Sequence, residues 1–288
     1  MLSLHTNNAA LSAQSALSST QNKLSTSMTR LSTGYRINSA MDDAAGLQIA
    51  TRLKAQTSGM AVAMRNTQNS TSMLQTAEGA LNEVNNMLVR MKDLATQAFD
   101  ASSTADDKTA MQSEYDNLGK EINNILTNTK FGGSTLLKGG TIGAAMNFQI
   151  GAAAGETMTL DLSASMGATG TTITQLGSVS TFLAATPGTV GTELTGTSNA
   201  VIDTIATAVD NISAVRSSLG AASNRLDHVY NNLSNISSNT ESATGRIMDV
   251  DFAQESANMT SNQMLMQAGT AMLKQTNSMS SMVMSLLQ

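Results

Sequence analysis

The 288-residue chain has no cysteine, no tryptophan and a single proline, Pro187. Without cysteine there can be no disulfide framework, no thiolate metal site and no thiol nucleophile. Five Phe and three Tyr are the only aromatic residues, 3% of the chain. A thick globular interior normally takes more ring area than this. Histidine is limited to His5 and His228, too far apart in sequence for a local metal motif. Charge is sparse as well, with 13% charged residues and a net charge of −5. An acidic balance weighs against an electrostatic nucleic-acid binder. No apolar run approaches the roughly 18 residues that a membrane span requires, so no membrane insertion is expected. The stretch from Met1 to Gln14 has neither a basic n-region nor an apolar h-region, so a cleaved secretory signal is not expected either.

Catalytic signatures are missing too. There is no Gly-x-Ser-x-Gly elbow and no Gly-x-x-x-x-Gly-Lys-[Ser/Thr] phosphate loop. Asp42-Asp43 and Asp106-Asp107 are adjacent carboxylates, and neighbouring helix residues do not face each other. Both pairs read as first-turn acids favoured by the helix dipole. The expectation is a non-enzyme with no cofactor and no metal.

What is present is mostly small and polar. Ser, Thr and Asn make up 95 of the residues, a third of the chain. The hydrophobic 41% is largely Ala, Leu, Met, Ile and Val, which suits thin helix-on-helix packing. Apolar residues recur at alternating steps of three and four through Leu74, Ala77, Leu81, Val84, Leu88, Met91, Ala95 and Ala98. They do so again through Met111, Tyr115, Leu118, Ile122 and Ile125, and from Ile205 through Ile212, Leu219 and Leu226 to Ile236. Such stripes are coiled-coil or slender-bundle seams. Met73, Ala80, Met87 and Leu94 add a second stripe, so that helix needs more than one partner. Thr104 with Asp107 resembles a capping box, so a helix is expected from 104, stopped by Phe131-Gly132-Gly133. Helices over 60–98 and 200–237 would be roughly 57–59 Å long. A compact globule of this chain length has a radius of gyration of about 19 Å, so a rod is expected.

Glycine is concentrated in the middle. Thirteen of the 21 fall between Gly132 and Gly196, and 139–199 holds only Glu156, Asp161 and Glu193 as charged residues. Phe148 and Ile150, then Met158, Leu160 and Leu162, alternate with polar residues around Gly151–Gly155, predicting a β-hairpin. Residues 163–199 are low in complexity and predict short strands or surface loop.

The two ends carry stripes that need covering. One is Ala10, Ala13, Leu17, Gln21, Leu24, Met28 and Leu31. The other is Leu265, Met272, Met279 and Leu286, at sevens, with Met282 in the second seam position. Pairing the ends would bury one face of each helix, leaving Met264, Met266, Leu273, Val283 and Leu287 directed elsewhere, toward neighbouring molecules. Eight of the 20 methionines lie in 248–288. Methionine is unbranched and polarizable, suited to interfaces that shift.

Three stretches carry a family resemblance. The first is Leu31-Ser-Thr-Gly-Tyr-Arg36-Ile-Asn38-Ser39-Ala-Met-Asp42-Asp43-Ala-Ala-Gly46. The second runs Thr76-Ala-Glu78-Gly79-Ala-Leu81-Asn82-Glu83-Val-Asn85-Asn86. The third is Leu219-Gly220-Ala-Ala-Ser-Asn224-Arg225-Leu226, continued by Arg246-Ile-Met-Asp249-Val-Asp251-Phe252 and Gln267-Ala-Gly269-Thr. Together they resemble bacterial flagellin over roughly 1–160 and 200–288, and the chain looks like a short, lateral-type member.

The resemblance implies a mainly α fold. A discontinuous coiled-coil terminal domain would comprise 1–44 and 249–288. An elongated helical rod would span 45–248, with a small β-hairpin region over about 131–199. It implies a structural subunit of a flagellar filament, with the hook–filament junction (hook-associated) protein as the alternative. It further implies self-assembly into a helical homopolymer through Leu17, Leu24, Leu31, Leu265, Met272, Met279 and Leu286. Export through a type III apparatus would deliver it to the extracellular flagellum. An export chaperone, a filament cap and hook-junction proteins would be partners. Recognition by Toll-like receptor 5 is implied through Arg90, Leu94 and Glu114.

Overall fold

The computed structural model describes residues 7–167, 170–183, 191–196 and 199–286, and the side chains of these up to residue 279. Two compact units are present. One combines the residues up to Thr57 with those from Ser238 onward; the other is Ser58–Ser237. The units therefore divide within helices, at 57/58 and 237/238, rather than at the helix breaks near 44 and 249. Among the described residues there are seven α-helices and two antiparallel strand pairs.

The terminal unit contains α1 (Asn8–Thr33), the start of α2 (Ala44–Ala98), the end of α6 (Ala200–Met248) and α7 (Phe252–Leu286). Asn7 caps α1 by accepting from the Ala10 N–H at 3.1 Å. Gly34, at φ 76°, ends it in a left-handed cap that a side chain would strain. The two breaks between helices, α1–α2 and α6–α7, are then stitched together. Arg36 donates its backbone N–H to Met248, Val250 donates to Gly34, and Tyr35 bridges Asp249. The Arg36 guanidinium adds a bond to the Ile247 carbonyl at 2.9 Å. Ile37 is buried beneath this crossing.

Asp42 and Asp43 do not sit in a first turn. Asp43 precedes α2 and accepts the Gly46 N–H at 2.8 Å, which makes it the cap of that helix. Asp42 instead closes the loop by accepting the Ser39 and Asn38 N–H groups at 2.9 and 3.1 Å. Asp106 and Asp107 do occupy the first turn of α3 (Ala105–Asn128), where the Thr104–Asp107 capping box forms.

The second unit is built around one apolar core. Leu74, Leu81, Val84, Leu88 and Met91 of α2 are fully buried. They meet Tyr115 and Ile122 of α3, and Ile205, Ile212, Leu219 and Leu226 of α6. The second stripe of α2, Met73, Ala80 and Met87, packs partly buried against the same core, and Leu94 is inside it. The expected seam thus forms, except that Ile236 is left 38% exposed. Both long helices overrun their apolar stripes. α2 begins at Ala44 and α6 continues to Met248, lengths of about 82 and 74 Å at 1.5 Å per residue. Their polar extensions contain no proline to stop them.

Gly132 and Gly133, at φ 58° and 88°, make the two-residue turn between β1 (Lys130–Phe131) and β2 (Ser134–Thr135). The expected hairpin is β3 (Ala145–Gln149) with β4 (Thr157–Asp161), in which Phe148 faces Met158 and Met146 faces Leu160. Leu162 and Ile150 lie just outside the strands. The following segment departs from the expected strands or loop. It holds a single turn, α4 (Ser163–Met166), and a helix, α5 (Thr171–Val179). Ile173, Leu176 and Val179 recur at threes and are buried on one side of α5, a helical spacing hidden among β-branched threonines.

A polar knot fixes the region beyond α5 to α3. The buried Gln112 amide donates to Asp116 at 2.7 Å and to Glu193 at 2.8 Å, and accepts the Leu194 N–H. Asp116 accepts from Gly191 and Glu193 from Thr181. Tyr115 donates to the Val179 carbonyl at 2.6 Å; burial, reinforced by Glu193 and Asp116, pushes its phenol up.

Two predictions follow from this packing. Leu88→Ala leaves a cavity in a fully buried seam and is expected to cost about 2–5 kcal/mol, read from urea unfolding followed by helical circular dichroism. The second concerns Asp42, whose carboxyl is held below the usual carboxylate range by the Ser39 and Asn38 N–H groups, with Arg30 adding to it. A lowered folded value stabilises the loop above the unfolded group's pKa, and the gain is lost as pH falls through the folded one. Acid titration should therefore shift the Asn38 and Ser39 amide resonances together, at a pH below the usual carboxylate range. Asp42→Asn should abolish that step; an unchanged step would assign it to another group.

Candidate self-assembly surface

α1 and α7, from opposite ends of the chain, pack along one another. The α1 face that is shielded reads Ala10, Ala13, Leu17, Thr20, Leu24, Ser27 and Leu31. The α7 face reads Glu255, Met259, Asn262, Met266, Gly269, Leu273 and Thr276. Both follow alternating steps of three and four, the spacing of a coiled-coil seam. The seam is short of bulk. Gly269 lies so close to Leu17 that an added Cβ would come within 3.3 Å of its Cδ1. Ser27 is 4% exposed.

Polar groups register the pair at both ends. Glu255, in the first turn of α7 and 7% exposed, faces Arg30 in the last turn of α1 at 3.9 Å. Arg30 also reaches Asp42 at 3.7 Å, so one guanidinium links the helix pair to the loop. Asn7 donates to the Thr276 carbonyl at 3.4 Å. A groove of about 480 Å³ beside this seam is lined by Asn22, Thr26, Asn258 and Ser261, among others. Its lining is polar and includes the Arg30–Glu255 pair.

The expected α7 seam needs correcting. Leu265, Met272 and Met279 do not face α1; they are 55%, 62% and 56% exposed. Met266 and Leu273, expected to point elsewhere, form the seam instead. At about 100° per residue the exposed stripe lies roughly a quarter to a third of a turn from the paired face. The reason is steric. The Ala, Thr and Ser face of α1 accepts a shallow ridge containing Gly269 and Thr276, and the bulkier heptad is displaced outward. On α1, Thr20 and Ser27 replace Gln21 and Met28 in the seam, and Met28 is 50% exposed. Leu17, Leu24 and Leu31 hold their expected places. Leu286 and Met282 lie in α7, but their side chains are outside the described ones, as are those of Val283 and Leu287.

Among the described side chains, ten of the thirteen exposed large apolar residues belong to the terminal unit, including Leu11, Met264, Met272 and Phe252. The larger second unit contributes Val62, Val89 and Ile236 to the described set. The described exposed apolar surface is therefore concentrated in the terminal unit. Among the described residues no helix is long and apolar enough to cross a membrane.

The three expected receptor-contact residues separate. Arg90 of α2 and Glu114 of α3 form an exposed ion pair, with Nη2–Oε1 at 2.7 Å and Nε–Oε1 at 2.9 Å. Leu94 is 2% exposed and belongs to the core, so its side chain cannot meet a receptor in this fold. His228 is exposed on α6, and His5 lies outside the described residues.

Comparison with known proteins agrees with the resemblance in the sequence. The model of the bacterial flagellin N-terminal helical region matches residues 4–141, and that of the C-terminal helical region matches 202–287. Polar flagellin F of Vibrio parahaemolyticus is 45% identical over 161 residues, which cover 56% of this chain and 42% of that one. Flagellin B of Vibrio cholerae is 41% identical over the same length and shares. The match thus spans less than half the length of these relatives. Among solved structures, Bacillus cereus flagellin aligns with a TM-score of 0.47 at 32% identity, covering 59% of this chain and 88% of its own. A Vibrio parahaemolyticus chain described as a flagellar hook-associated protein aligns at 0.52 and 19% identity, covering 72% and 100%, a likeness of fold alone. With its N-terminal and C-terminal helical regions both matched, the chain belongs to the bacterial flagellin family.

Proposed function

We propose that the chain is a structural subunit, not a catalyst, which polymerises with copies of itself into an extracellular flagellar filament used for motility. The observation that carries the reading is the division of labour on α7: one stripe pairs with α1, and Leu265, Met272 and Met279 are left uncovered. Leu17, Leu24 and Leu31 hold α7 in place, and the outward stripe, continued in sequence by Leu286, meets neighbouring subunits. An export chaperone, a filament cap and hook-junction proteins complete the set of partners. The alternative, a hook–filament junction protein, has support from a fold likeness only. Micrometre-long tubes formed by the purified chain alone would separate the two.

Met272→Asp with Met279→Asp places two charges on the outward stripe without touching the seam. Negative-stain microscopy should show no filaments, and helical circular dichroism should be unchanged. Filaments of normal length from this variant would overturn the assignment of the stripe to assembly.

A second contact is proposed for the Arg90–Glu114 pair, as part of a surface read by Toll-like receptor 5. Both side chains are about half exposed, at 54% and 46%, and so available to a partner. An exposed ion pair contributes only about 0–1 kcal/mol to stability, so its loss is tolerable to the fold. Arg90→Ala should weaken signalling in receptor-expressing reporter cells while the unfolding midpoint stays put; undiminished signalling would sink the idea.

A further inference from the structure

Three features outside the account above are candidates for a further role: the Gln112–Asp116–Glu193 knot, the polar groove beside Arg30, and the exposed methionines. The knot is satisfied internally, by the Gln112 amide and by the Thr181, Gly191 and Leu194 N–H groups, and nothing in the groove points to a ligand. The methionines carry an inference.

We propose that Met264, Met272 and Met279 are oxidative modification sites, and that conversion of their thioethers to sulfoxides uncouples the subunit from assembly. The proposal rests on the assembly reading of α7. The chain has no cysteine, so no thiol competes for an oxidant and the thioethers are its most oxidisable side chains. Exposure then sorts them. Met264, Met272 and Met279 are 60%, 62% and 56% exposed, while Met60, Met91, Met158 and Met166 are at most 3% exposed. Met259 and Met266, in the α1–α7 seam, are only half-buried but face a packed helix. A two-electron oxidant therefore reaches these three, together with Met28 at 50% and Met41 at 95% exposure, before the seam or the core.

The chemistry balances with hypochlorous acid or a peroxide as the oxygen donor. The thioether sulfur gives up an electron pair and gains a bond to oxygen. Hypochlorous acid departs as chloride and a proton; hydrogen peroxide departs as water. The product is a polar sulfoxide, which opposes burial against another subunit and leaves the helix pair in place. Because dedicated reductases return methionine sulfoxide to methionine, the block is reversible.

Met41 provides an internal reference. It is the most exposed methionine described, at 95%, but it lies in the loop before α2 rather than on α7. The test treats the full-length monomer with graded hypochlorous acid, maps sulfoxides by peptide mass spectrometry and measures polymerisation by sedimentation. Loss of assembly should follow sulfoxide at Met264, Met272 and Met279 and not at Met41. The critical concentration should rise about tenfold or more for loss of one or two buried thioethers. The variant M264L/M272L/M279L keeps apolar bulk and should polymerise after the same treatment, whereas M41L should stay sensitive. A triple variant that assembles untreated and still fails after oxidation would overturn the proposal.

If the triple variant does not assemble untreated, repair of oxidised wild-type protein by methionine sulfoxide reductases decides. Assembly returning as the three sulfoxides disappear supports the proposal; assembly staying lost overturns it. Untreated wild-type protein that never polymerises would instead overturn the assembly reading, and the proposal with it.

Discussion

The terminal unit depends on one interaction, the pairing of α1 with α7 along a seam of small and polar residues. Neither helix could persist alone, because isolated helices in water gain little beyond their own hydrogen bonds. Each must bury a face, and the nearest faces are those of the opposite chain end. The seam chosen is no more hydrophobic than the stripe beside it. It is the one that allows close approach, with Gly269 against Leu17 and Ser27 buried. Close approach converts many weak dispersion contacts into cohesion without large side chains. The scarcity of aromatic residues then becomes intelligible, because rings would hold the two backbones apart.

Electrostatics set the register of that seam more than its strength. Arg30 faces both Glu255 and Asp42, so the end of α1, the start of α7 and the loop before α2 share one cation. Glu255 sits at the positive end of α7 and Arg30 at the negative end of α1, so the helix dipoles favour both. The backbone stitch of Arg36 to Met248 and Val250 to Gly34 lies within the same few residues. A one-heptad slip of α7 would break the ion pair, and the short connection through Asp249 and Asp251 leaves no slack for it. Asp251 also fixes the start of α7 by accepting the Ala253 N–H at 2.9 Å.

Much of this fold is legible in the sequence where burial is deep. The stripe from Leu74 to Ala98 and the one from Ile205 to Leu226 are buried as their spacing requires, because a core with partners on several sides tolerates few polar substitutions. The capping box at Thr104 and the Gly132-Gly133 turn are equally readable, since each is a local rule with a local cause. Legibility fails where hydrophobicity and proximity diverge. On α7 the heptad of Leu265, Met272 and Met279 and that of Met259, Met266 and Leu273 are about equally apolar, and the one interleaved with Asn262, Gly269 and Thr276 makes the contact. Hydrophobic period alone ranks the stripes by transfer energy and ignores the shape of the opposing face. Leu94 fails for a related reason: it lies one turn from Arg90 and only about 40° around the helix, yet it is 2% exposed and inside the core, so a neighbour's exposed charge does not make it accessible. The Gln112–Asp116–Glu193 knot was invisible because its members are 4 and 77 residues apart and follow no period.

The contrast between the two units suggests how stability and assembly are related. In Ser58–Ser237 one continuous face of α2 and of α6 is inaccessible to water, with Leu81, Val84, Leu88, Ile205 and Ile212 at 0% exposure. Among the described side chains of α1 and α7, only Ser27 and Glu255, both polar, fall to a few per cent exposure, while Leu17, Leu24, Leu31, Met266 and Leu273 keep part of their surface in solvent. Partial burial recovers only a fraction of the roughly 1.5–3 kcal/mol that a fully buried Leu or Met contributes. A helix pair held so thinly lies close to the conformational entropy cost of ordering it. Any ligand that binds the ordered form alone stabilises it in proportion to its free concentration. If that ligand is another copy seated on Leu265, Met272 and Met279, ordering of the ends and growth of the polymer are the same event. The exposed stripe and the thin seam are then two sides of one arrangement: a seam strong enough to stand by itself would leave less to gain from a neighbour.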